Sequence, residues 1–145
     1  SYNKKGIYAP LWMQDRTTLC NKMFSGDGTL DLTFKGPGSD KLNDSIKGDG
    51  KYVDNLLLRQ LFREYDWALY IGRGHTEHIT GATFYEPILN GLPVFMWIGI
   101  DPNKNTFKDI DCYFSSETEL KSLVEKWDMK DLYSKQVKTL FNKDI

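Results

Sequence analysis

The sequence predicts an α/β domain of three layers, in which helices cover both faces of a parallel β-sheet. Three observations lead to this fold class. Predicted strands and helices alternate along most of the 145 residues. Two predicted strands, 67–71 (WALYI) and 93–98 (PVFMWI), are unbroken apolar runs, which are typical of strands buried on both faces. The chain also ends in two consecutive predicted helices.

The first part of the chain supplies two strands, one helix and a long polar connection. Residues 6–12 (GIYAPLW) predict a first strand, and the alternating residues 30–34 (LDLTF) predict a second. Between them, residues 13–24 carry apolar side chains at helical spacing. Residues 36–51 are rich in Gly, Asp, Ser and Lys, so we expect a solvated, flexible loop there.

The middle of the chain predicts a helix on each side of the strand at 67–71. The pattern at 53–65 is amphipathic. Its apolar face is expected to carry Val53, Leu56, Leu57, Leu61 and Tyr65. A polar, glycine-rich loop at 72–81 follows the strand, and the next helix is expected to end at Asn90 and Gly91.

The last third of the chain predicts two strands and two helices. A short strand at 112–114 follows the apolar strand at 93–98. Ser116 and Glu119 have the spacing of a capping box at the start of a helix. The apolar face of that helix is expected to carry Leu120, Leu123, Val124 and Trp127. A final helix is predicted over 132–141.

Composition excludes several classes of protein. The net charge of −1 provides no broad basic field for nucleic acid. Cys20 and Cys112 are far apart and have no histidine partner at metal-ligand spacing, so we expect reduced thiols and no metal site. The longest apolar stretch, 92–100, is too short to span a membrane, and no signal peptide is visible. We therefore expect a cytoplasmic protein.

The loop at 72–81 is the first candidate binding segment, because ligands of parallel α/β sheets lie beyond the carboxyl ends of the strands. Pro87 has no N–H and is tolerated without loss only within about the first four helical positions. The helix after the loop is therefore expected to begin between Gly81 and Thr83. Its free N–H groups and positive dipole end predict a phosphate site.

Three side chains near this helix start are suited to a phosphorylated ligand. Arg73 follows a strand end and is well placed to meet a phosphate. His78 precedes the helix and can donate a hydrogen bond, although a solvated loop role is the alternative. Glu86 only accepts hydrogen bonds and suits the vicinal hydroxyls of a ribose. The alternative for Glu86 is a capping box with Thr83.

The spacing of His78, Glu86, Pro93 and Trp97 is H-x7-E-x6-P-x3-W. It resembles the donor-binding signature of GT-B-fold glycosyltransferases, including the UDP-sugar-dependent type. The string TFYEPILNGLPVF, 83–95, also resembles the helix and strand common across that superfamily. This resemblance implies that His78 contacts the diphosphate and that Glu86 binds the ribose.

Further site residues follow from the same resemblance. Gly81, Ala82 and Thr83 are implied to offer backbone N–H groups to the donor. Some members of the superfamily supply an arginine and a lysine from the first loop and helix, where Arg16 and Lys22 stand here. UDP-sugar enzymes also hold the sugar hydroxyls with an acidic residue.

The nearest candidate for that acidic residue is Asp101. A simple turn residue in the Asp-Pro-Asn sequence is the alternative. The catalytic base is not identifiable from the sequence, and neither are the sugar, the nucleobase, the acceptor or the stereochemical course.

As a whole, the resemblance implies a Rossmann-like domain that forms the C-terminal, donor-binding half of a two-domain enzyme. Such an enzyme transfers a sugar, most often a hexose, from a nucleoside diphosphate without a bound metal or cofactor. The helix dipole and basic side chains stabilise the leaving diphosphate. The acceptor would be held by an N-terminal domain, in the same chain or in another.

Two other functions stay open at this point. The chain could be a non-catalytic module that binds a nucleotide sugar or pairs with a partner subunit. It could also be a flavodoxin-like domain that binds flavin or a phosphate anion without selectivity for ribose. A nucleic-acid acceptor is left open as well, but the net charge of −1 gives it no support.

Overall fold

The computed structural model describes residues 4–10, 13, 16–72 and 82–141 of the chain. Within them lies one sheet of five strands, and all four pairings are parallel. Strands β1 to β5 are Gly6–Tyr8, Leu32–Phe34, Trp67–Tyr70, Val94–Trp97 and Tyr113–Phe114. Their order across the sheet is β2-β1-β3-β4-β5. The predicted parallel sheet of an α/β, Rossmann-like domain is confirmed.

Five α-helices accompany these strands in the described part of the chain. Helices α1 to α5 are Thr17–Met23, Asn55–Phe62, Ala82–Leu89, Glu117–Lys126 and Met129–Phe141. The predicted N-cap of α4 is present, because the N–H of Glu119 donates to Ser116 Oγ at 3.2 Å, but the Glu119 carboxylate accepts from the N–H of Ser115 rather than from that of Ser116, so the capping box is only half formed. The two predicted C-terminal helices are confirmed, and α5 begins three residues before the expected 132. None of the described helices is long and apolar enough to cross a membrane.

Neighbouring residues of β1 show that helices cover both faces of the sheet, because successive strand residues point to opposite faces. Ile7 lines a cleft below α2 and α3. Tyr8 packs on the other face, where its ring meets Phe34 edge-on and its neighbours include Cys20 of α1. The side chain of Ser25, just after α1, also bonds to Glu117 of α4 at 2.7 Å. The layers are therefore α2 and α3 on one face and α1 and α4 on the other.

The apolar face predicted for the second helix is partly wrong. Leu56 is 72% exposed, and Leu57 is exposed as well. The core face instead carries four residues with helical spacing i, i+3, i+4 and i+7, namely Leu58, Leu61, Phe62 and Tyr65. Asp54 caps the start of the helix by accepting a hydrogen bond from the N–H of Leu57, and packing against the core selects the buried face.

Helix α3 begins at Ala82, inside the range predicted for it. Pro87 is its sixth residue, however, and so lies beyond the first four positions on which that prediction rested. The helix is held despite the missing N–H because Phe84 and Ile88 are buried against the sheet layer. It ends as predicted near Gly91, which has a φ of +91°.

The long polar connection at 36–51 is solvated as expected, since half of its residues are exposed, but it also contains internal hydrogen bonds that the sequence did not indicate. Ser39 is fully buried. Its carbonyl accepts the N–H of Gly48, and its hydroxyl accepts the N–H of Gly50. The carbonyl of Pro37 accepts the N–H of Met13 at 2.9 Å, which ties this loop to the segment after β1. The polar residues of this loop therefore serve in part to hydrogen-bond the loop to itself.

Candidate functional site

The strand order places a crevice at the carboxyl edge of the sheet, between β1 and β3. From β1 the chain passes to β2 on one side, whereas β3, β4 and β5 lie on the other side. The loops that follow β1 and β3 therefore diverge and leave room between them. Ligands of open α/β sheets bind at such a switch point. The order 2-1-3-4-5 also occurs in flavodoxin-like proteins, so it does not by itself identify the ligand.

Arg16 is held at this crevice. It is only 7% exposed, and its Nε donates a buried hydrogen bond to the carbonyl of Gly72 at 2.8 Å. Arg16 comes from the loop after β1, and Gly72 directly follows β3, so the bond joins the two loops that bound the crevice. A guanidinium in this position brings a permanent positive charge to the carboxyl edge of the sheet.

Tyr8 lies beneath the same place with its hydroxyl buried. The ring is fully buried, and the hydroxyl makes no well-formed hydrogen bond in the described structure, although the Ile71 backbone lies close enough to favour its ionised form. Burial raises the pKa of Tyr8 well above its ordinary value, so the phenol stays neutral even with Arg16 nearby.

We expect Tyr8→Phe to leave the free energy of unfolding unchanged or to raise it by up to about 1 kcal/mol, because it removes a buried hydroxyl that makes no well-formed hydrogen bond. Denaturant unfolding of both proteins measures the difference. A loss of more than about 1 kcal/mol would show that the hydroxyl has a partner in solution.

Glu86 is fixed by the packing of α3. The ring of Phe84 is fully buried and meets Tyr70 of β3 edge-on. The hydroxyl of Tyr133 in α5 donates to the carbonyl of Ile88 at 2.7 Å. These contacts hold the helix on both sides of Glu86, whose side chain is 18% exposed. A carboxylate is thus presented on a helix that the core keeps in place.

Glu86 lines a cleft between α2 and α3, over the face of β1 and β3. The walls come from the strands, from the loop ends after β1 and β2, and from α2 with the residue pair before it. The lining residues are Ile7, Ala9, Pro10, Lys35, Gly36, Pro37, Tyr52, Val53, Asn55, Leu58, Phe62, Ala68, Leu69, Glu86 and Pro87. Most of them are apolar, as in small-ligand clefts generally, but the cleft volume of about 30 Å³ is well below the roughly 300 Å³ or more of a typical ligand pocket.

The start of α3 argues against the capping-box interpretation of Glu86. A capping box would need Thr83 at the N-cap, whereas the helix already begins at Ala82. The Glu86 carboxylate instead contacts Arg59 of α2 and Asn90 of α3. Ala82 and Thr83 are the first two helical residues, where backbone N–H groups have no partner within the helix. Their positions suit the predicted backbone contacts.

The structure does not bring Lys22 to the crevice. It is exposed in the last turn of α1, about 9 Å along the helix axis from the end that Arg16 precedes. The helix places Lys22 away from the carboxyl edge. The structure therefore does not support a joint contact of Arg16 and Lys22 with one diphosphate. Arg73, His78 and Gly81 lie outside the described residues, and their roles stay predictions.

Asp101 organises its own loop. Its carboxylate accepts hydrogen bonds from the N–H groups of Asn105 and Thr106 and from the hydroxyl of Tyr113, at 3.1, 3.0 and 2.7 Å. Burial opposes ionisation, but these hydrogen bonds outweigh it and hold the pKa of Asp101 below its usual range. This arrangement favours the turn role, and a contact with sugar hydroxyls stays a prediction.

The two cysteines are unsuited to nucleophilic chemistry. Burial raises the pKa of both Cys20 and Cys112 to about 12, so the thiolate is scarce at neutral pH. Both thiols are free, as predicted. Among the described residues, no group of three His, Cys, Asp or Glu side chains could hold a metal ion. Metal independence itself stays a prediction.

Two residues of the site were not foreseen as such. The sequence indicates only that Arg59 is an exposed charge on α2. Its contact with Glu86 depends on how the two helices pack. Tyr52 lines the cleft although it is 61% exposed, and it directly follows the polar loop. The only available signal was an aromatic residue beside a turn, which is too common to be informative.

Comparison with known proteins supports the fold. No family model matches the sequence, and no curated protein matches it. Among solved structures, the DNA-modifying enzyme β-glucosyltransferase, determined with and without uridine diphosphoglucose, aligns with a TM-score of 0.65 and 13% identity. The alignment covers 95% of this chain and 49% of that one.

Two structures of the T4 phage enzyme give similar values. BGT in complex with UDP and Mn²⁺ aligns with a TM-score of 0.64 and 12% identity, over 95% of this chain and 46% of that one. A further T4 phage β-glucosyltransferase aligns with a TM-score of 0.61 and 13% identity, over 95% and 48%. The chain thus spans about half the length of these proteins. At these identities the likeness shows a shared fold alone.

Proposed function

We propose that this chain is the donor-binding part of a glycosyltransferase and binds a nucleoside-diphosphate sugar, most readily a UDP-sugar, in the crevice between β1 and β3. The observation that carries the proposal is the position of Glu86. It lines an apolar cleft one turn inside α3, and the helix starts at the edge where Arg16 is held. A ribose acceptor group and a cationic phosphate site thus lie along one ligand path.

The spacing along α3 suits a nucleoside diphosphate. Glu86 is the fifth residue of the helix, about 6 Å along its axis from the start at Ala82. The diphosphate would meet the N–H groups of Ala82 and Thr83, where the helix dipole favours negative charge. Arg16 would add a charge-assisted hydrogen bond, and we assign the predicted phosphate contacts of Arg73, His78 and Gly81 to the same group.

The nucleobase would enter the cleft beyond Glu86, which has a volume of about 30 Å³ and would have to widen around the base. Its walls include the side chains of Pro10 and Pro37 from two loops and the ring of Tyr52. A planar base gains from stacking against flat apolar or aromatic groups. Transfer would then release the diphosphate, whose charge the helix start and Arg16 stabilise. The acceptor and the catalytic base would come from a second domain, consistent with coverage of about half of the neighbouring chains.

Calorimetric titration of the chain with UDP tests the proposal, with and without Mn²⁺ since one neighbour is bound to UDP and Mn²⁺. We expect dissociation constants below the millimolar range. Glu86→Ala should weaken UDP about tenfold, or about 1.4 kcal/mol, because it removes hydrogen bonds to a charged acceptor. Glu64→Ala is the matched control, since that exposed carboxylate lies outside the cleft.

Other outcomes of the titration would contradict the proposal. If UDP does not bind the wild-type chain below the millimolar range, a donor-binding role is excluded. Flavin mononucleotide serves as a comparison ligand, because tighter binding of flavin than of UDP would favour a flavodoxin-like function. Equal weakening of UDP by Glu86→Ala and Glu64→Ala would remove the ribose role.

The alternative of a non-catalytic nucleotide-sugar module rests on the length of the chain, which matches about half of each neighbour. It makes a distinct prediction for the chain incubated with UDP-glucose. A binding module leaves the donor intact in every condition, whereas a transferase component releases UDP when its acceptor domain and acceptor are supplied. Release of UDP by the chain alone would also rule out the module.

A further inference from the structure

The carboxylate of Glu86 is held from one side only. Arg59 Nε lies 3.8 Å from Oε2, and Asn90 Nδ2 lies 3.4 Å from the same oxygen. Asn90 is itself fixed, because its Nδ2 also donates to the carbonyl of Glu86 at 2.7 Å. Within the described part of the chain both side-chain contacts go to Oε2. Oε1 takes part in neither of these contacts.

Arg59 is delivered to this place by a well-anchored helix. Asp54 caps α2 by accepting the N–H of Leu57 at 3.0 Å. At the other end of the helix, Phe62 is buried in the core. Leu58, which precedes Arg59, lines the wall of the cleft. The Arg59 side chain remains 54% exposed, so the pair is partly hydrated and its contribution to affinity is expected to be small.

A carboxylate that receives two hydroxyl donors must stop rotating, and this ordering costs free energy when the ligand arrives. A cation beside one carboxylate oxygen reduces that cost in advance, because it restricts the side chain while the other oxygen remains open. Glu86 is in this situation, because Arg59 and Asn90 both contact Oε2 and neither contacts Oε1.

We propose that Arg59 is a positioning residue for the ribose subsite, acting through Glu86 rather than on the ligand. It holds Oε2 so that Oε1 faces the vicinal hydroxyls of a ribonucleotide. The proposal rests on the function inferred above, in which Glu86 receives the ribose. It predicts that Arg59 contributes to affinity only when the ligand has those hydroxyls.

The experiment compares UDP with 2′,3′-dideoxy-UDP on the full chain by calorimetry. Arg59→Gln should weaken UDP about three- to fivefold, as expected for a partly exposed ion pair, and leave the dideoxy compound within about twofold. Arg59→Lys should recover part of the loss because it keeps the charge. Arg63→Gln is the matched control, since it removes an exposed arginine one turn along the same helix, outside the cleft.

A double variant isolates the route through Glu86. In a Glu86→Gln background, Arg59→Gln should have no further effect on UDP, because the interaction it supports is already gone. Equal weakening of UDP and dideoxy-UDP by Arg59→Gln would mean that Arg59 touches the ligand directly, which overturns the proposal. An additive effect in the double variant would overturn it as well.

Failure of this inference differs from failure of the proposed function. If UDP binds, Glu86→Ala weakens it and Arg59→Gln behaves like Arg63→Gln, only the positioning role is overturned. If UDP does not bind the wild-type chain, both fall together. Thermal unfolding of each variant is measured alongside, and because both arginines are solvent-exposed at α2, their unfolding midpoints should match the wild type within about 2 °C.

Discussion

Arg16→Gln is expected to weaken UDP binding about thirty- to hundredfold while uridine binding changes by less than about twofold. The loss corresponds to about 2–2.7 kcal/mol, in the range for hydrogen bonds to charged groups. Uridine lacks the diphosphate, so a residue that serves the phosphates should not affect it. Calorimetric titration of both ligands against wild type and variant measures the difference.

The magnitude follows from where the structure holds the guanidinium. Arg16 is 7% exposed, and its charge therefore acts through a medium less polar than water. The bond from Nε to the Gly72 carbonyl at 2.8 Å fixes the plane of the group at the crevice edge. Little side-chain entropy then remains to be lost when a diphosphate binds, so most of the charge interaction should contribute to affinity.

Lys22→Gln is the matched control for the loss of one positive charge. Lys22 belongs to the same helix region but lies exposed at the far end of α1, so UDP affinity should not change. Thermal unfolding separates binding from stability, because Arg16→Gln also removes a buried hydrogen bond. Equal weakening of UDP and uridine would show that Arg16 shapes the crevice without meeting the phosphates.

The sequence was most informative where one local signal was sufficient. Unbroken apolar runs identified β3 and β4, because strands buried on both faces need no polar side. The pair Ser116 and Glu119 located the start of α4, since a capping box acts within one helical turn. The superfamily spacing identified Glu86, which the structure does place in a cleft.

Prediction failed where the outcome depended on packing between distant segments. Leu56 and Leu57 fit an apolar helical face as well as Leu58 and Phe62 do, and only packing against the core decides between them. The polar loop at 36–51 contains hydrogen bonds among its own backbone and Ser39, which composition does not reveal. Contacts between helices, such as Arg59 with Glu86, have no sequence signature at all.

Gly6→Ala is expected to lower the free energy of unfolding by about 3 kcal/mol or more, as severe overpacking does. Gly6 and Trp67 are register partners in the ladder between β1 and β3. A Cβ at Gly6 would lie 2.2 to 2.4 Å from three atoms of the Trp67 ring, closer than real contacts allow. Alanine otherwise suits a strand better than glycine does, so the clash alone makes the expected change in the free energy of unfolding a loss.

The Trp67 ring has little freedom to move away. It is fully buried, packs edge-on against Phe95 with centroids 5.5 Å apart, and donates from Nε1 to the Lys4 carbonyl at 3.2 Å. Denaturant unfolding measures the loss. Gly28→Ala is the control, because its Cβ would meet no atom within 4 Å and only its φ of +85° adds strain. That variant should lose about 1–2 kcal/mol.

A double variant tests whether the clash with the indole causes the loss of stability in Gly6→Ala. In a Trp67→Leu background the added methyl should cost much less, since the smaller side chain leaves room for it, and the two changes should be non-additive. Equal losses in both backgrounds would place the strain in the backbone. The indole lies against Gly6, where β1 and β3 begin. The crevice lies at the opposite, carboxyl ends of the same two strands. Folded Gly6→Ala protein should therefore keep its UDP affinity unless the clash alters the spacing of β1 and β3 along their whole length.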